Sequence, residues 1–331
     1  MEGKLTSQVG QSRLLLHEAI PLATPLVIYV EPSGYCNLAC AFCPQGSSVA
    51  GLKKAMMPVG LFKRMVDDIA LFPEKIKLLR ICGNGDPLTN LKLSEMIEYA
   101  FSRGIAEKIE LITNAILLTP ELISRLPRYL TRLVCSIEGL SSDDYQRICN
   151  AKVDFGRFLK TLDTLYEGRG ACTIHIKIHH ESVASPEKEA YFFELFRNRC
   201  DEIFIEKLVP MWPQLSTSFS SKEFRWGDGP VVKRRICAQI FKGVQVQADG
   251  EVVPCCVDWS RVNVIGHLQH ESLPEIWQGK KLRKLQIEHL AGNKGALEPC
   301  KDCSMNDYCE VDNLDDYADE CMNRLMSREL Q

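Results

Sequence analysis

No uncharged apolar run in this sequence approaches the length of a membrane-spanning helix, because Lys, Arg, Asp or Glu interrupts every hydrophobic stretch. A strong charge of one sign is missing too. The formal net charge is −3, so no basic field advertises nucleic-acid binding. The segment Met1 to Leu14 carries Lys4 and Arg13 but lacks the apolar core and small-residue cleavage site of a secretory signal. Internal repeats and low-complexity tracts are also absent. Together these absences predict a cytoplasmic protein with neither membrane nor nucleic acid as partner. The 331 residues, 45% of them apolar, suit a globular chain of more than one unit.

Cysteine, by contrast, is abundant, with 15 in the chain. A reducing compartment disfavours structural disulfides, so clustered cysteines there read as metal ligands or catalytic thiols. Cys82, Cys135, Cys149, Cys172 and Cys200 stand alone in apolar or helical contexts and read as small hydrophobes. The others fall in two groups, Cys36 to Cys43 and Cys237 to Cys321.

Between these groups the pattern alternates. An opening helix is expected around Gln8 to Ala19, stopped by Pro21 and Pro25. A β-branched and aromatic run, Leu26 to Glu31, then feeds a loop at Pro32-Ser33-Gly34. Further strands are predicted at Ile76–Cys82, Lys108–Thr113, Arg132–Ile137, Thr173–His179 and Glu202–Leu208. Helical periodicity marks Val59–Leu71, Leu91–Ser102, Pro120–Leu126, Phe155–Glu167 and Pro186–Arg199. Repeated strand-then-helix spacing predicts an α/β fold with parallel strands, a partial (β/α)6 barrel whose chemistry sits at the carboxyl ends of its strands. The candidate groups fall there. The first cysteines follow strand one, Gly83-Asn84-Gly85-Asp86-Pro87 follows strand two, Asn114 ends strand three, and Ser136 lies at the end of strand four. Beyond Leu208 the alternation stops in a stretch rich in Pro, Ser and Gly. The expected organisation is an N-terminal helical extension over 1–25, the barrel over 26–209, a linker over 210–234 and a cysteine-rich unit over 235–331.

Cys36-x3-Cys40-x2-Cys43 places three thiolates on one short loop, enough for three irons of a cubane with the fourth left open. Zinc is the alternative on spacing alone, although zinc sites usually use paired knuckles or His partners and no His lies nearby. With Phe42 before the last cysteine, this segment resembles the signature of the radical SAM superfamily. Asn84-Gly85-Asp86-Pro87 is similar to that family's GGEP motif, whose backbone holds the amino group of S-adenosylmethionine (SAM); Asn replaces the first Gly and Asp the Glu. Asn114 and Ser136 match positions that contact SAM's ribose and carboxylate in similar enzymes. The resemblance covers about Val27 to Leu208 and implies a [4Fe–4S] cluster on Cys36, Cys40 and Cys43. SAM bound to the open iron is then cleaved reductively to a 5′-deoxyadenosyl radical that abstracts hydrogen from substrate.

In the second group, Cys237-x12-Gly250-x4-Cys255 brackets a hairpin with an Asp249-Gly250 turn, which brings its two ends together. Cys300-x2-Cys303 adds a paired knuckle, and on spacing alone zinc again remains open. The segment resembles the SPASM/twitch extension of radical SAM enzymes, which binds auxiliary [4Fe–4S] clusters. Asn313 stands where the longer SPASM pattern has a cysteine. The resemblance therefore implies one auxiliary cluster on Cys237, Cys255, Cys300 and Cys303. Cys309 and Cys321 are left as ligands of a second cluster or bystanders, and Cys256 as a spare thiol.

The same resemblance implies an external one-electron reductant such as flavodoxin or ferredoxin, and a small-molecule or peptide substrate. With 35 residues before Cys36, the chain is expected to lack a preceding peptide-recognition or cobalamin-binding domain. The expectation is therefore oxidation of a small-molecule alcohol, such as a sugar or aminocyclitol, with the auxiliary cluster as electron acceptor. Peptide maturation or epimerisation is the alternative, and a zinc-stabilised scaffold without catalysis is a third. Candidate substrate-facing side chains are Lys177, His179, His180, Glu206 and Lys207 at late strand ends.

Overall fold

The computed structural model describes residues 3–5, 14–47, 52–210, 230–309 and 312–327. Its strands are β1 (Lys4–Leu5), β2 (Val27–Val30), β3 (Ile76–Ile81), β4 (Ala106–Thr113), β5 (Arg132–Ile137), β6 (Thr173–His179), β7 (Glu202–Glu206), β8 (Gly243–Val246), β9 (Glu251–Val253) and β10 (Gly266–His267). The helices are α1 (Leu16–Ala19), α2 (Val59–Ile69), α3 (Leu93–Arg103), α4 (Pro120–Arg125), α5 (Ser142–Cys149), α6 (Phe155–Gly168), α7 (Pro186–Phe196), α8 (Leu273–Trp277), α9 (Lys280–Leu290), α10 (Met305–Tyr308) and α11 (Ala318–Ser327).

The strands form one sheet in the order β1-β7-β6-β5-β4-β3-β2-β8-β9-β10. From β2 to β7 each strand pairs in parallel with its sequence neighbour, with a helical crossover between them: a partial (β/α)6 barrel. Period-two alternation gives each strand two unlike faces. One carries Ile28, Val30, Leu79, Ile81, Leu111, Ile137, Ile176 and Ile203, which pack against Phe62, Met65, Ile97, Leu162 and Phe192 of the helices. Burying each such side chain contributes about 1.5–3 kcal/mol. The opposite face is polar. Tyr29, Arg80, Glu110, Arg132, His175 and Glu202 occupy one layer of it, with ion pairs from Arg80 to Glu110 (2.6 Å) and from Arg132 to both Glu110 and Glu202.

The expected opening helix shrinks to Leu16–Ala19, and Gln8 to Arg13 lie outside the described residues. Its N-cap is Leu15, whose extended backbone begins the helix without a side-chain cap hydrogen bond. Ahead of it β1 pairs in parallel with β7, adding a strand where only helix was expected. The predicted hairpin forms as β8 and β9, with Gly250 at φ +95° in its turn. It is not separate from the barrel: β8 pairs in parallel with β2, so the sheet runs on from the barrel into the cysteine-rich region. Positions 211–229, most of the expected linker, lie outside the described residues.

Candidate functional site

The loop after β2 carries Cys36, Cys40 and Cys43, all free thiols. Its backbone is fixed by α5, because Ala39 and Ala41 donate to the carbonyls of Cys149 and Ile148 at that helix's carboxyl end, both at 2.9 Å. Ser141 caps α5 by accepting from the Asp144 amide, a Ser-x-x-Asp signal that periodicity alone passed over. The Cys40 thiol donates to Cys149 Sγ at 3.5 Å, so Cys149, read from sequence as packing, sits beside a candidate ligand. That bond, followed by desolvation, holds Cys40 as a thiol well above its ordinary range, while burial pushes Cys43 up to about 12. A cation that binds these thiols must displace the protons that burial holds on them. Phe42 lies edge-on to His179, ring centroids 4.7 Å apart.

The turn after β3 is locked against this loop. A Cβ on Gly85 would stand 2.3 Å from the Tyr35 carbonyl and 2.4 Å from that of Ser33, so only glycine fits. The Asn84 amide donates to Glu31 Oε2 (2.7 Å), and the Asp86 amide to the Tyr35 carbonyl (2.8 Å). Asp86 points inward. Its carboxylate accepts from the Leu88 amide, the Thr113 hydroxyl and the Asn114 amide, which ties the turn to the end of β4 and starts the short 3-10 turn at Pro87. Asn114 in turn donates to Asn37 Oδ1 (2.9 Å) and lies 3.8 Å from Cys36 Sγ. Cys36, Asn37, Asp86 and Asn114 are thus one hydrogen-bonded group. Ser136, half-buried on β5, shares the polar face with Arg132.

Behind the turn, Glu31 is fully buried and faces Arg261, whose side chain is 1% exposed and also reaches Asp249 and Glu251. Nothing in the local sequence signals this contact, which joins the loop after β9 to the cysteine loop of the barrel. Further round the mouth, Glu138 follows β5. Desolvation pushes its carboxyl up to about 7, against the opposing influence of Lys177, and Glu206 adds to the rise. His179 Nε2 lies 3.9 Å from it, and desolvation holds that ring down at about 4. Lys177 is paired with Glu206 at 2.7 Å, and His180 with Glu181 at 3.1 Å. Of the five candidate substrate-facing residues, Lys177, His179 and Glu206 gather around Glu138. Glu138 itself, two residues beyond Ser136, was the missed member.

A second centre is assembled from three segments. Cys237, Cys255, Cys300 and Cys303 line one cavity. Asp307 accepts from the Arg234 amide and Asp315 from the Ile236 amide, which brings Cys237 to the C-terminal knuckle. Asn263, held through the Asp258 carboxylate, donates to the Glu298 carbonyl and so brings the hairpin end to Cys300. Desolvation pushes the Cys300 thiol up to about 11. Four free cysteines lining one cavity are the donor set that a cubane takes. His289 of α9 lines the same cavity, and burial holds it down at about 4. Cys256 shares a side-chain hydrogen bond with Cys255 and also lies near Tyr29 and Arg80, so it stands beside a candidate ligand without lining the cavity itself. Cys321 lies elsewhere, in an apolar cluster with Leu16, Ile20, Ile236 and Leu325. Cys309, at the end of α10, does not line the four-cysteine cavity.

Residues 30–190 match the model of the radical SAM superfamily, and residues 237–304 match SPASM, an iron–sulfur cluster-binding domain. An AdoMet-dependent heme synthase from Methanosarcina barkeri (strain Fusaro / DSM 804) is 28% identical over 142 residues, 43% of this chain. That match spans only 39% of the relative's length. Among solved structures, anSMEcpe with bound AdoMet superposes with a TM-score of 0.61 at 16% identity, covering 92% of this chain and 98% of that one. BtrN in complex with AdoMet and 2-DOIA gives 0.57 at 16% identity, covering 87% and 96%. SuiB of Streptococcus suis bound to S-adenosylmethionine gives 0.57 at 16% identity, covering 89% and 74%. The barrel is the radical SAM barrel, and the chain belongs to the radical SAM superfamily, with a C-terminal SPASM domain.

Proposed function

We propose that this radical SAM enzyme oxidises a carbinol carbon of a small polar molecule, such as a sugar or aminocyclitol, to a carbonyl. When bound, SAM and its cluster supply a hydrogen-abstracting 5′-deoxyadenosyl group, and an auxiliary cluster on Cys237, Cys255, Cys300 and Cys303 supplies an electron sink. The balance is one hydrogen atom to 5′-deoxyadenosine, one proton to the protein and one electron to the auxiliary centre. The observation that carries the reading is Glu138, a half-buried carboxyl at the barrel mouth, 3.9 Å from His179 Nε2 and pushed up to about 7. A base with that affinity takes the hydroxyl proton at neutral pH and releases it again. The Lys177–Glu206 pair offers donors and acceptors to neighbouring hydroxyls, and Phe42 closes an apolar wall over His179. An external one-electron reductant such as flavodoxin or ferredoxin primes the reaction in the cytoplasm, a compartment that suits free thiols. Among the described residues no helix is long and apolar enough to cross a membrane.

The test uses a panel of polyols and aminocyclitols deuterated at each carbinol carbon. The label should pass into 5′-deoxyadenosine, one SAM should be consumed per carbonyl formed, and the product should take up no solvent deuterium. Because Glu138 acts deprotonated, the rate should rise with pH through about 7. Glu138→Gln should lower turnover by about 10²–10⁴-fold with SAM binding intact. Solvent deuterium on the product carbon at unchanged mass would establish epimerisation instead, and label transfer from a peptide alone would establish peptide modification.

A further inference from the structure

The cavity that gathers Cys237, Cys255, Cys300 and Cys303 is also lined by His289. This side chain is 1% exposed, and neither ring nitrogen has a hydrogen-bond partner among the described residues. Its place on α9 explains the direction of the ring. Leu285, one turn earlier, lines the same cavity, while Leu282 and Leu290 of the helix are buried against the core. Gln286, also buried, spends its amide on the Ile240 carbonyl (3.1 Å). An imidazole therefore stands on a helix stripe where leucine would pack without cost, and it is stripped of water with nothing to replace it. The partner that satisfies it is the occupant of the cavity. Lys294, across the cavity, is already committed to the Cys303 carbonyl (2.7 Å) and to Asn306 Oδ1 (3.0 Å).

We propose that His289 donates a hydrogen bond from its ring N–H to a sulfur of the auxiliary cluster, and so raises that cluster's reduction potential. An N–H dipole aimed at a cluster sulfur stabilises the reduced, more negative state over the oxidised one. In the oxidation proposed above, the result is a better acceptor for the substrate's electron. His289 is a positioning and tuning residue for the cluster, not a ligand. The inference rests on the four-cysteine ligation of that reading, and its test avoids turnover altogether.

In full-length protein carrying Cys36→Ala, Cys40→Ala and Cys43→Ala, the auxiliary cluster is the one remaining centre, and its midpoint potential is read by an EPR-monitored redox titration. Adding His289→Leu should leave iron content unchanged and shift the reduction equilibrium about tenfold toward the oxidised form, a fall of about 59 mV. In heavy water the reduced cluster should show an exchangeable deuteron coupling that disappears in His289→Leu. His289→Gln, which keeps a donor, should restore most of the potential. An unchanged midpoint with the deuteron coupling retained in His289→Leu overturns the inference while leaving the oxidation reading standing. Loss of iron in the Leu and Gln variants alike also overturns it, by making His289 a ligand or a packing residue. A triad variant that holds no iron sinks the four-cysteine ligation and this inference together.

Discussion

At the scale of single residues, the two glycines Gly85 and Gly60 are chemically identical and physically opposite. Gly85 is wedged between the carbonyls of Ser33 and Tyr35, backbone atoms that cannot swing aside, whereas a Cβ on Gly60 of α2 meets nothing within 4 Å. Gly85→Ala should therefore destabilise the fold by about 1–3 kcal/mol through overpacking, and displace the Asn84 amide from Glu31. Gly60→Ala should be neutral or stabilising, by up to about 1 kcal/mol, because Ala gives up less backbone freedom than Gly in entering the first turn of a helix. Urea unfolding of both variants, with SAM affinity by calorimetry, checks this. Equal losses in the two would show that the tight turn has no special role. The close-spaced groups were readable in the sequence because their members lie within a few residues of one another: the cysteine loop and the Asn84 to Pro87 turn. Glu138, Arg261 and His289 were not, since each acquires its meaning from partners brought by other segments. For His289 a signal did exist, a histidine on the apolar stripe of a helix, but the same signal marks any satisfied core histidine.

At the scale of elements, the strands were the most legible part. β5 and β6 match their predicted bounds, because β-branched runs between turn residues leave little choice of ends. What alternation did not reveal is that the barrel inverts the usual sense. Its apolar side faces the helices and its polar side faces inward, where Arg80, Glu110, Arg132 and Glu202 neutralise one another. Helix α5 escaped notice because it is short and holds more polar than apolar residues. Yet it anchors the cysteine loop through Cys149 and Ile148. Ser141→Ala removes its cap and should cost about 1 kcal/mol of stability. Fraying of α5 should also loosen the loop. Under a chelator, cluster absorbance tied to Cys36, Cys40 and Cys43 should then bleach faster than in the parent, while that of the second centre is unchanged. Equal bleaching at both centres would mean that the cap supports the whole fold rather than the loop.

At the scale of the whole molecule, the C-terminal region is built onto the barrel rather than hung from it. β8 extends the sheet beside β2, Arg261 reaches from the loop after β9 to Glu31 beneath the Asn84 to Pro87 turn, and Trp277 of α8 donates to the Leu22 carbonyl at 3.1 Å. The sequence announced the hairpin but not this union, because strand pairing across more than two hundred positions leaves no local trace. The same long-range folding decides how many clusters the chain can hold. Four cysteines meet in one cavity, whereas Cys321 is buried with Leu16, Ile20 and Leu325 and lies near the His17 carbonyl. Moving it to a cluster would tear α11 from α1. Anaerobically reconstituted protein should accordingly carry about eight irons, as two cubanes. The triad variant should keep about four, and adding Cys237→Ala should remove most of these. Cys321→Ser should leave the iron content untouched, because the thiol is hydrogen-bonded to the His17 carbonyl and to Arg324. Iron near twelve per chain, falling to about eight in Cys321→Ser, would require a second auxiliary cluster and a C-terminal helix rearranged to reach it.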